Sequence, residues 1–189
     1  MKTICYVTSN PGKFAEAEHY IKRCVPGITL ERVDLDIPEI QSLDVAAIAT
    51  AKARYAWDKI RRPLFIDDGG IYFNRWNQFP GALSKFVAQS LGVDGISRLI
   101  DEGDTGYFLL YLAYVDEQGN EHLFEGRCDG NLVKRPVGDF DPNLPFRAIF
   151  KPEGQDLTYE QMAHNPLYEQ YFHRIRALNK LVEWLVKQG

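Results

Sequence analysis

The apolar positions of the chain change rhythm several times, and each change predicts an element. Residues 3 to 8, TICYVT, run nearly unbroken into SNPG and read as a buried strand ending at a turn. From about Gly12 the spacing turns helical, with Phe14, Ala17, Ile21 and Cys24 recurring at intervals of three and four. GITLERVDL, where Ile28, Leu30 and Val33 almost alternate, predicts a second strand, and IPEIQ predicts a loop because Pro38 excludes a regular helix. A second helix is expected from Asp44, capped by Ser42 or Asp44 and ending near Arg61 to Pro63. Val45, Ile48, Ala49, Ala53 and Ala56 form its inward stripe.

LFIDDGGIYF, residues 64 to 73, predicts strand, turn and strand, with Gly69 and Gly70 at the turn. GALSKFVAQSLG and VDGISRLI predict short helices. Residues 106 to 133 carry a hairpin pattern with DEQGN as the turn, and residues 136 to 154, rich in Pro and Gly, predict irregular chain. A closing helix over about 168 to 187 has Phe172, Ile175, Leu178, Val182 and Leu185 as its stripe. Early alternation of strands and helices, then a hairpin and a final helix, predicts an α/β fold with a mixed sheet. Without an internal repeat or linker, residues 1 to 189 read as one domain, with room for two lobes.

Composition narrows the class. Hydrophobic residues make up 45% and charged residues 25%, which fits a globular chain and neither a disordered nor a membrane protein. Apolar runs fall far short of the ~20 residues that span a bilayer, and MKTICYVTSN turns polar too early for a signal peptide. Cys5, Cys24 and Cys128 are scattered, suggest neither disulfides nor a zinc site, and make the cytoplasm the default compartment. A net charge of −4 without a dense Lys/Arg run argues against a nucleic-acid polymer as partner and leaves a small anionic ligand open.

Four places can carry chemistry. TSNPGK joins a strand to a helix, where unpaired N–H groups and the helix dipole favour an anion, and Lys13 adds a cation. It also reads as an ordinary Asn-Pro-Gly turn, and it is not the GxxxxGK motif of a standard phosphate loop. Lys52 lies on the apolar side of the second helix, so its stem either carries the charge out to an edge or brings it to a buried anion. Asp67 and Asp68, at a strand end, can turn toward one cleft and repel unless a cation lies between them or one holds a proton. Oxygen donors so placed suit Mg2+ shared with substrate phosphates, with Glu39 as a third donor; the plainer reading is a polar DDGG turn. His173 and Arg174, off the apolar stripe, read by themselves as solvated residues. Ser84 and Ser90 lack a nucleophile context, and DFDPN lacks the remaining ligands of a calcium loop.

Taken in order, the segments resemble the inosine triphosphate pyrophosphatase family. TSNPGKFAEAE is similar to its opening S/T-x-N-x-x-K, LDIPEIQ to D-L/I-x-E-I/Y-Q, and AIATAKARYA to a helix ending K-A-x-x-A. FIDDGGIYFNRWNQFPGALSKF resembles the stretch E-D-S/T-G-L, then P-G, then S-A/K. FEGRCDGNLV and FKPEGQDLTYEQM follow in order, and FHRIRALNKL is similar to S-H-R-x-x-A-L. Each motif is weak alone, and seven in sequence are specific.

The resemblance implies an elongated two-lobed α/β fold with a nucleotide-binding cleft, a homodimer, and Mg2+-dependent cleavage of non-standard purine nucleoside triphosphates to monophosphate and pyrophosphate. By position it implies that Thr8, Ser9, Asn10, Lys13, Lys52, Gly69 and Lys85 hold phosphates. Glu39, Asp67 and Asp68 would serve the metal, and Asp68 would also activate water, with Asp67 in the place of the family's glutamate. His173 and Arg174 would reach the base. The chain departs from the pattern before KPEG, where the family has G-F-G-Y/W-D-P and this chain has NLPFRAIF. Phe146 then takes the stacking position and Arg147 the aspartate's; a rival register uses Phe140, Asp141 and Pro142. Tyr168 stands where the family has lysine, and Phe172 where it has serine. The expectation is therefore conserved phosphate chemistry with a rebuilt base pocket. A pure nucleotide-binding protein and a phosphatase releasing orthophosphate are the competing readings.

Overall fold

The computed structural model describes residues 2–136, 138–163, 165 and 168–188. Six strands form one mixed sheet: β1 (Lys2–Val7), β2 (Ile28–Val33), β3 (Leu64–Phe73), β4 (Thr105–Val115), β5 (Glu121–Leu132) and β6 (Phe150–Pro152). Their order is β2-β1-β3-β4-β5-β6, with β1 parallel to both β2 and β3 and β5 antiparallel to β6. The helices are α1 (Pro11–Cys24), α2 (Val45–Ile60), α3 (Ser84–Ile96), α4 (Pro145–Ala148), α5 (Tyr159–Met162), α6 (Tyr168–Tyr171) and α7 (His173–Gln188). The expected α/β class with a mixed sheet is borne out.

Contacts divide the chain into two compact units. The first comprises Met1–Asp68, Leu110–Gly126 and Arg174–Gly189, and the second Gly69–Leu109 and Arg127–His173.

In the first unit, strand alternation sorts the side chains onto two faces. Cys5 and Val7 of β1, Leu64 and Ile66 of β3, and Ala113 and Val115 of β4 pack with Ala49, Ala53 and Ala56 of α2. Alanines on that helix face allow close approach to the sheet. The intervening residues, Tyr6 and Phe65, stack at 4.3 Å, and Phe14 of α1 lies 6.5 Å from Tyr6. Asp44 caps α2 by accepting from Ala46 N and Ala47 N, so of the two predicted residues Asp44 is the cap, while Ser42 Oγ accepts from Asp44 N just before the helix. Arg61 closes the helix with φ of 52°, two residues before Pro63.

β3 corrects one expectation. Residues 64 to 73 are one unbroken strand with no turn at Gly69 and Gly70. Gly70 is needed for closeness: a Cβ there would lie 2.0 Å from the Gly81 carbonyl oxygen and 2.6 Å from Ser84 Oγ. Ser84 Oγ accepts from Ile71 N at 2.9 Å and donates to Gly81 O at 2.6 Å, tying the start of α3 to the strand. The hairpin turns at Asp116–Asn120 as expected, with Asp116 N donating to Asn120 O. The region read as irregular holds α4, opened by Pro145, and β6. The closing helix is interrupted at Phe172, whose ring stacks on Tyr168 at 4.4 Å.

Candidate active site

The first unit contains the loop that ends β1. Thr8 N donates to Val33 O, and Asn10 N donates to Thr8 Oγ1. Asn10 Oδ1 accepts from Gly12 N at 2.8 Å and from Lys13 N at 3.1 Å. Two N–H groups expected to be unpaired at this helix start are thus capped by the asparagine itself. What remains open at this helix start is side-chain charge, with Lys13 32% exposed.

Asp67 and Asp68 do not turn toward one place. They lie inside β3 and continue its alternation, Asp67 with Phe65 and Asp68 with Leu64 and Ile66. Asp67 is almost entirely covered. Its Oδ1 accepts from Tyr6 Oη at 2.8 Å and Lys13 Nζ at 3.1 Å, and its Oδ2 from Arg174 Nε at 2.9 Å. Arg174 Nη1 also donates to Glu16 Oε2 at 2.7 Å. Burial pushes the Asp67 carboxyl up, but the charges of Lys13 and Arg174, with hydrogen bonds from Arg174 and Tyr6, hold it well below the usual carboxylate range. Burial and the neighbouring Asp67 charge push the Tyr6 phenol well above its ordinary value.

Asp68 faces Lys52 on the other side of the strand. Lys52 Nζ donates to Asp68 Oδ2 at 2.5 Å and to Glu39 Oε1 at 2.8 Å. The Lys52 side chain is 17% exposed, so the lysine meets a buried anion instead of carrying its charge out to an edge. Burial opposes its charge, but Asp68 and Glu39 outweigh burial and raise its pKa. Burial also raises the Asp68 pKa; Lys52 offsets only part of that, and Glu39 adds to it.

These contacts test the expected metal set. Glu39 and Asp68 converge on one cationic point, the Lys52 ammonium, and both offer hard oxygen donors. Two carboxylates of this kind fit Mg2+, which completes its shell with water and substrate phosphates. Asp67 stands apart from them: it lies on the opposite face with Lys13 and Arg174 against it. Among the described residues no group of three or more His, Cys, Asp or Glu is placed to hold a metal.

The second unit holds the remaining predicted residues. Gly69 continues β3, and Lys85 is exposed in the first turn of α3. Phe146 is buried and meets Phe73 edge-on at 6.1 Å. Arg147 is half-buried, with Nε 3.2 Å from Glu160 Oε2 and its guanidinium carbon 5.7 Å from the Tyr168 ring centre. His173 is not solvated: it is buried and stacks on Phe108 at 4.8 Å and on Tyr159 at 6.0 Å. Asp141 accepts from Asn143 N and Leu144 N in a local turn.

Arg174, grouped by sequence with His173, belongs to the first unit and is engaged by Asp67 and Glu16. Tyr6, Glu16 and Glu160 were not foreseen. Tyr6 carried one readable signal, a phenol in a buried strand, which requires a hydrogen-bond partner.

Comparison with known proteins follows the same lines. The chain is 33% identical over 183 residues to a dITP/XTP pyrophosphatase of Methanopyrus kandleri, spanning 96% of this chain and 95% of that protein. It is 30% identical over 192 residues to an inosine triphosphate pyrophosphatase of Kluyveromyces lactis, spanning 98% and 97%. The fold matches the Staphylococcus aureus Ham1 protein with a TM-score of 0.83 at 20% identity, covering both chains fully. It also matches a nucleoside-triphosphatase / dITP/XTP pyrophosphatase of Mycobacterium abscessus, with a TM-score of 0.70 at 26% identity over 97% of this chain and 99% of that one. The resemblance drawn from the motifs is borne out, and the match of residues 4–184 to the Ham1 family as a whole makes this chain a member of that family.

Proposed function

We propose that the chain is a Mg2+-dependent pyrophosphatase acting on non-standard purine nucleoside triphosphates, of the inosine, deoxyinosine and xanthosine type, and that it clears them from the nucleotide pool. The observation that carries this reading is the convergence of Asp68 and Glu39 on the Lys52 ammonium. Relatives named dITP/XTP pyrophosphatase and inosine triphosphate pyrophosphatase support the substrate class.

In this reading Asp68 accepts the proton of the attacking water. Glu39 and Asp68 hold Mg2+, which when bound neutralises phosphate charge and acidifies water. Lys13 and Lys52, with the Thr8, Ser9 and Asn10 side chains, hold phosphate oxygens, and in the second unit Lys85 and the Gly69 backbone are assigned to phosphate as well. Lys52, as a fixed cation, stabilises charge that grows on the leaving pyrophosphate without reorganising, while Lys13 holds phosphate equally before and during cleavage. Phe146, Arg147 and His173 take the base. The same reading makes the protein one two-lobed domain that works as a cytoplasmic homodimer, with Cys5, Cys24 and Cys128 as free thiols. Among the described residues no helix is long and apolar enough to cross a membrane.

Incubation with a panel of triphosphates and Mg2+, with identification of the released ion, tests the reading. Pyrophosphate is expected. Orthophosphate would make the protein a different phosphatase, and tight binding without turnover would make it a nucleotide-binding protein. Sedimentation at micromolar concentration tests the dimer.

A further inference from the structure

Asp67 brings three elements to one carboxylate. Tyr6 comes from β1, Lys13 from α1 and Arg174 from α7, and Glu16, one turn beyond Lys13 on α1, takes the other end of the Arg174 guanidinium. The group is balanced, with two carboxylates against two cations. The Asp67 side chain is 2% exposed, whereas Lys13 remains 32% exposed. An ammonium has three donors and a long flexible stem. Asp67 takes one donor and fixes the stem, while the exposed part of the side chain faces solvent at the start of α1.

We propose that Asp67 is a positioning residue for the triphosphate site, acting through Lys13 and, by way of Arg174, anchoring α7 to α1, and that it is not a metal ligand. The inference rests on the reading of Lys13 as a phosphate-binding residue. Two features carry it beyond that reading. The Asp67 oxygens already accept three donors, two of them cationic, which leaves no reason for a divalent ion to enter. The Tyr6 hydroxyl, itself buried, fixes the rotamer of the carboxylate so that its two oxygens stay divided between Lys13 and Arg174. A preset lysine loses less freedom on meeting phosphate than a mobile one.

The test is a double-mutant cycle between Asp67→Asn and Lys13→Met in the full chain, with kcat and KM measured on inosine triphosphate and Mn2+ binding titrated without nucleotide. Each single variant should raise KM on the order of tenfold, the worth of one charge-assisted hydrogen bond, with kcat nearly unchanged. Asp67→Asn should add nothing once Lys13 is replaced, should leave Mn2+ affinity intact, and should be rescued in part by Asp67→Glu. Loss of Mn2+ binding, a fall in kcat at constant KM, or multiplying effects of the two substitutions would overturn the inference. An unchanged KM in Lys13→Met overturns the phosphate reading of that lysine, whereas a wild type without turnover overturns the proposed reaction. If Asp67→Asn does not fold, Tyr6→Phe keeps the charge and loses one donor. It should raise KM about threefold, the worth of one ordinary hydrogen bond, and a loss in kcat instead would count against the inference.

Discussion

Asp67 and Asp68 share a peptide bond and no ion pair: Lys13 and Arg174 pair with the first, and Lys52 with the second. The strand turns successive side chains to opposite faces, so one carboxylate lies toward α1 and α7 and the other toward α2. Their energetics differ in sign. Folding makes Asp67 easier to ionise and Asp68 harder. A residue that is costly to keep charged in the fold is the better candidate for chemistry, because stability alone does not explain it.

Replacing Asp68 by Asn should therefore separate activity from stability. Turnover is expected to fall by ~10²–10⁴ for the lost base alone, with more from the lost metal ligand. Asp68 has a raised pKa, so its contribution to stability is greatest below the ordinary value of 3.8 and declines as pH rises through the raised one. At pH 7 the neutral isostere should melt no lower than wild type without nucleotide. Circular dichroism melts and pyrophosphate release check both halves. A variant retaining more than about a tenth of the wild-type rate contradicts the base assignment, given the size of base effects.

Asp67→Asn should do the opposite to stability. Removing one partner of a buried ion group costs ~3–5 kcal/mol, or about 10 °C in Tm for a chain of this size. The Asp67 pKa is depressed, so its contribution is fully present above the ordinary value of 3.8 and is lost as pH falls below that toward the depressed value. The Tm gap between wild type and variant should be widest at neutral pH and narrow below pH 3.8. Paired melts from pH 7 down to pH 3 decide it; a gap that does not change with pH shows that the carboxylate charge is not what matters.

Lys52→Met tests the other face. Methionine preserves the apolar stem, but Glu39 and Asp68 lose their shared cation. Loss of hydrogen bonds to a charged group costs ~1.5–3 kcal/mol, so Tm without nucleotide should drop at pH 7. Added triphosphate should then stabilise the variant less than wild type, since ligand stabilisation follows affinity. Equal stabilisation of the two proteins would restrict Lys52 to its carboxylates and remove it from the phosphate set.

What the sequence revealed and what it hid follow from the range of each interaction. The Asp44 cap, the alanine stripe of α2 and the DEQGN hairpin are local patterns and were readable, whereas the Asn10 cap, equally local, replaces the unpaired N–H groups expected there. The continuity of β3 was hidden because Gly70 answers to Gly81 and Ser84, a contact that no spacing rule contains. Once β3 is seen as unbroken, alternation alone puts Asp67 and Asp68 on opposite faces; reading them at a strand end concealed it. The Arg174–Glu16 pair spans 158 positions, beyond any local rule. His173 could not be read as buried either, because its partners Phe108 and Tyr159 come from β4 and α5.

The last expectation concerns the base, where the chain leaves its family's pattern. An arginine can only donate, so Arg147 by itself supplies no acceptor for a ring N–H. The structure places that acceptor beside it: Glu160 Oε2 lies 3.2 Å from Arg147 Nε, and the two side chains remain 21% and 23% exposed. Donor and acceptor side by side match a 6-oxopurine edge, which offers an oxygen beside a ring N–H, and they oppose adenine, where the two are exchanged. Glu160→Gln and Arg147→Met should each reduce the preference for inosine over adenosine triphosphate, measured as a ratio of kcat/KM. The expected change is on the order of tenfold, within the ~1–3 kcal/mol of a good base contact. Pyrophosphate should remain the product in both variants. Arg147→Asp is a poorer test, since it would set two carboxylates against each other. An unchanged ranking in both variants would make the pair a structural link between α4 and α5, and Phe140, Asp141 and Pro142 would be the next residues to replace.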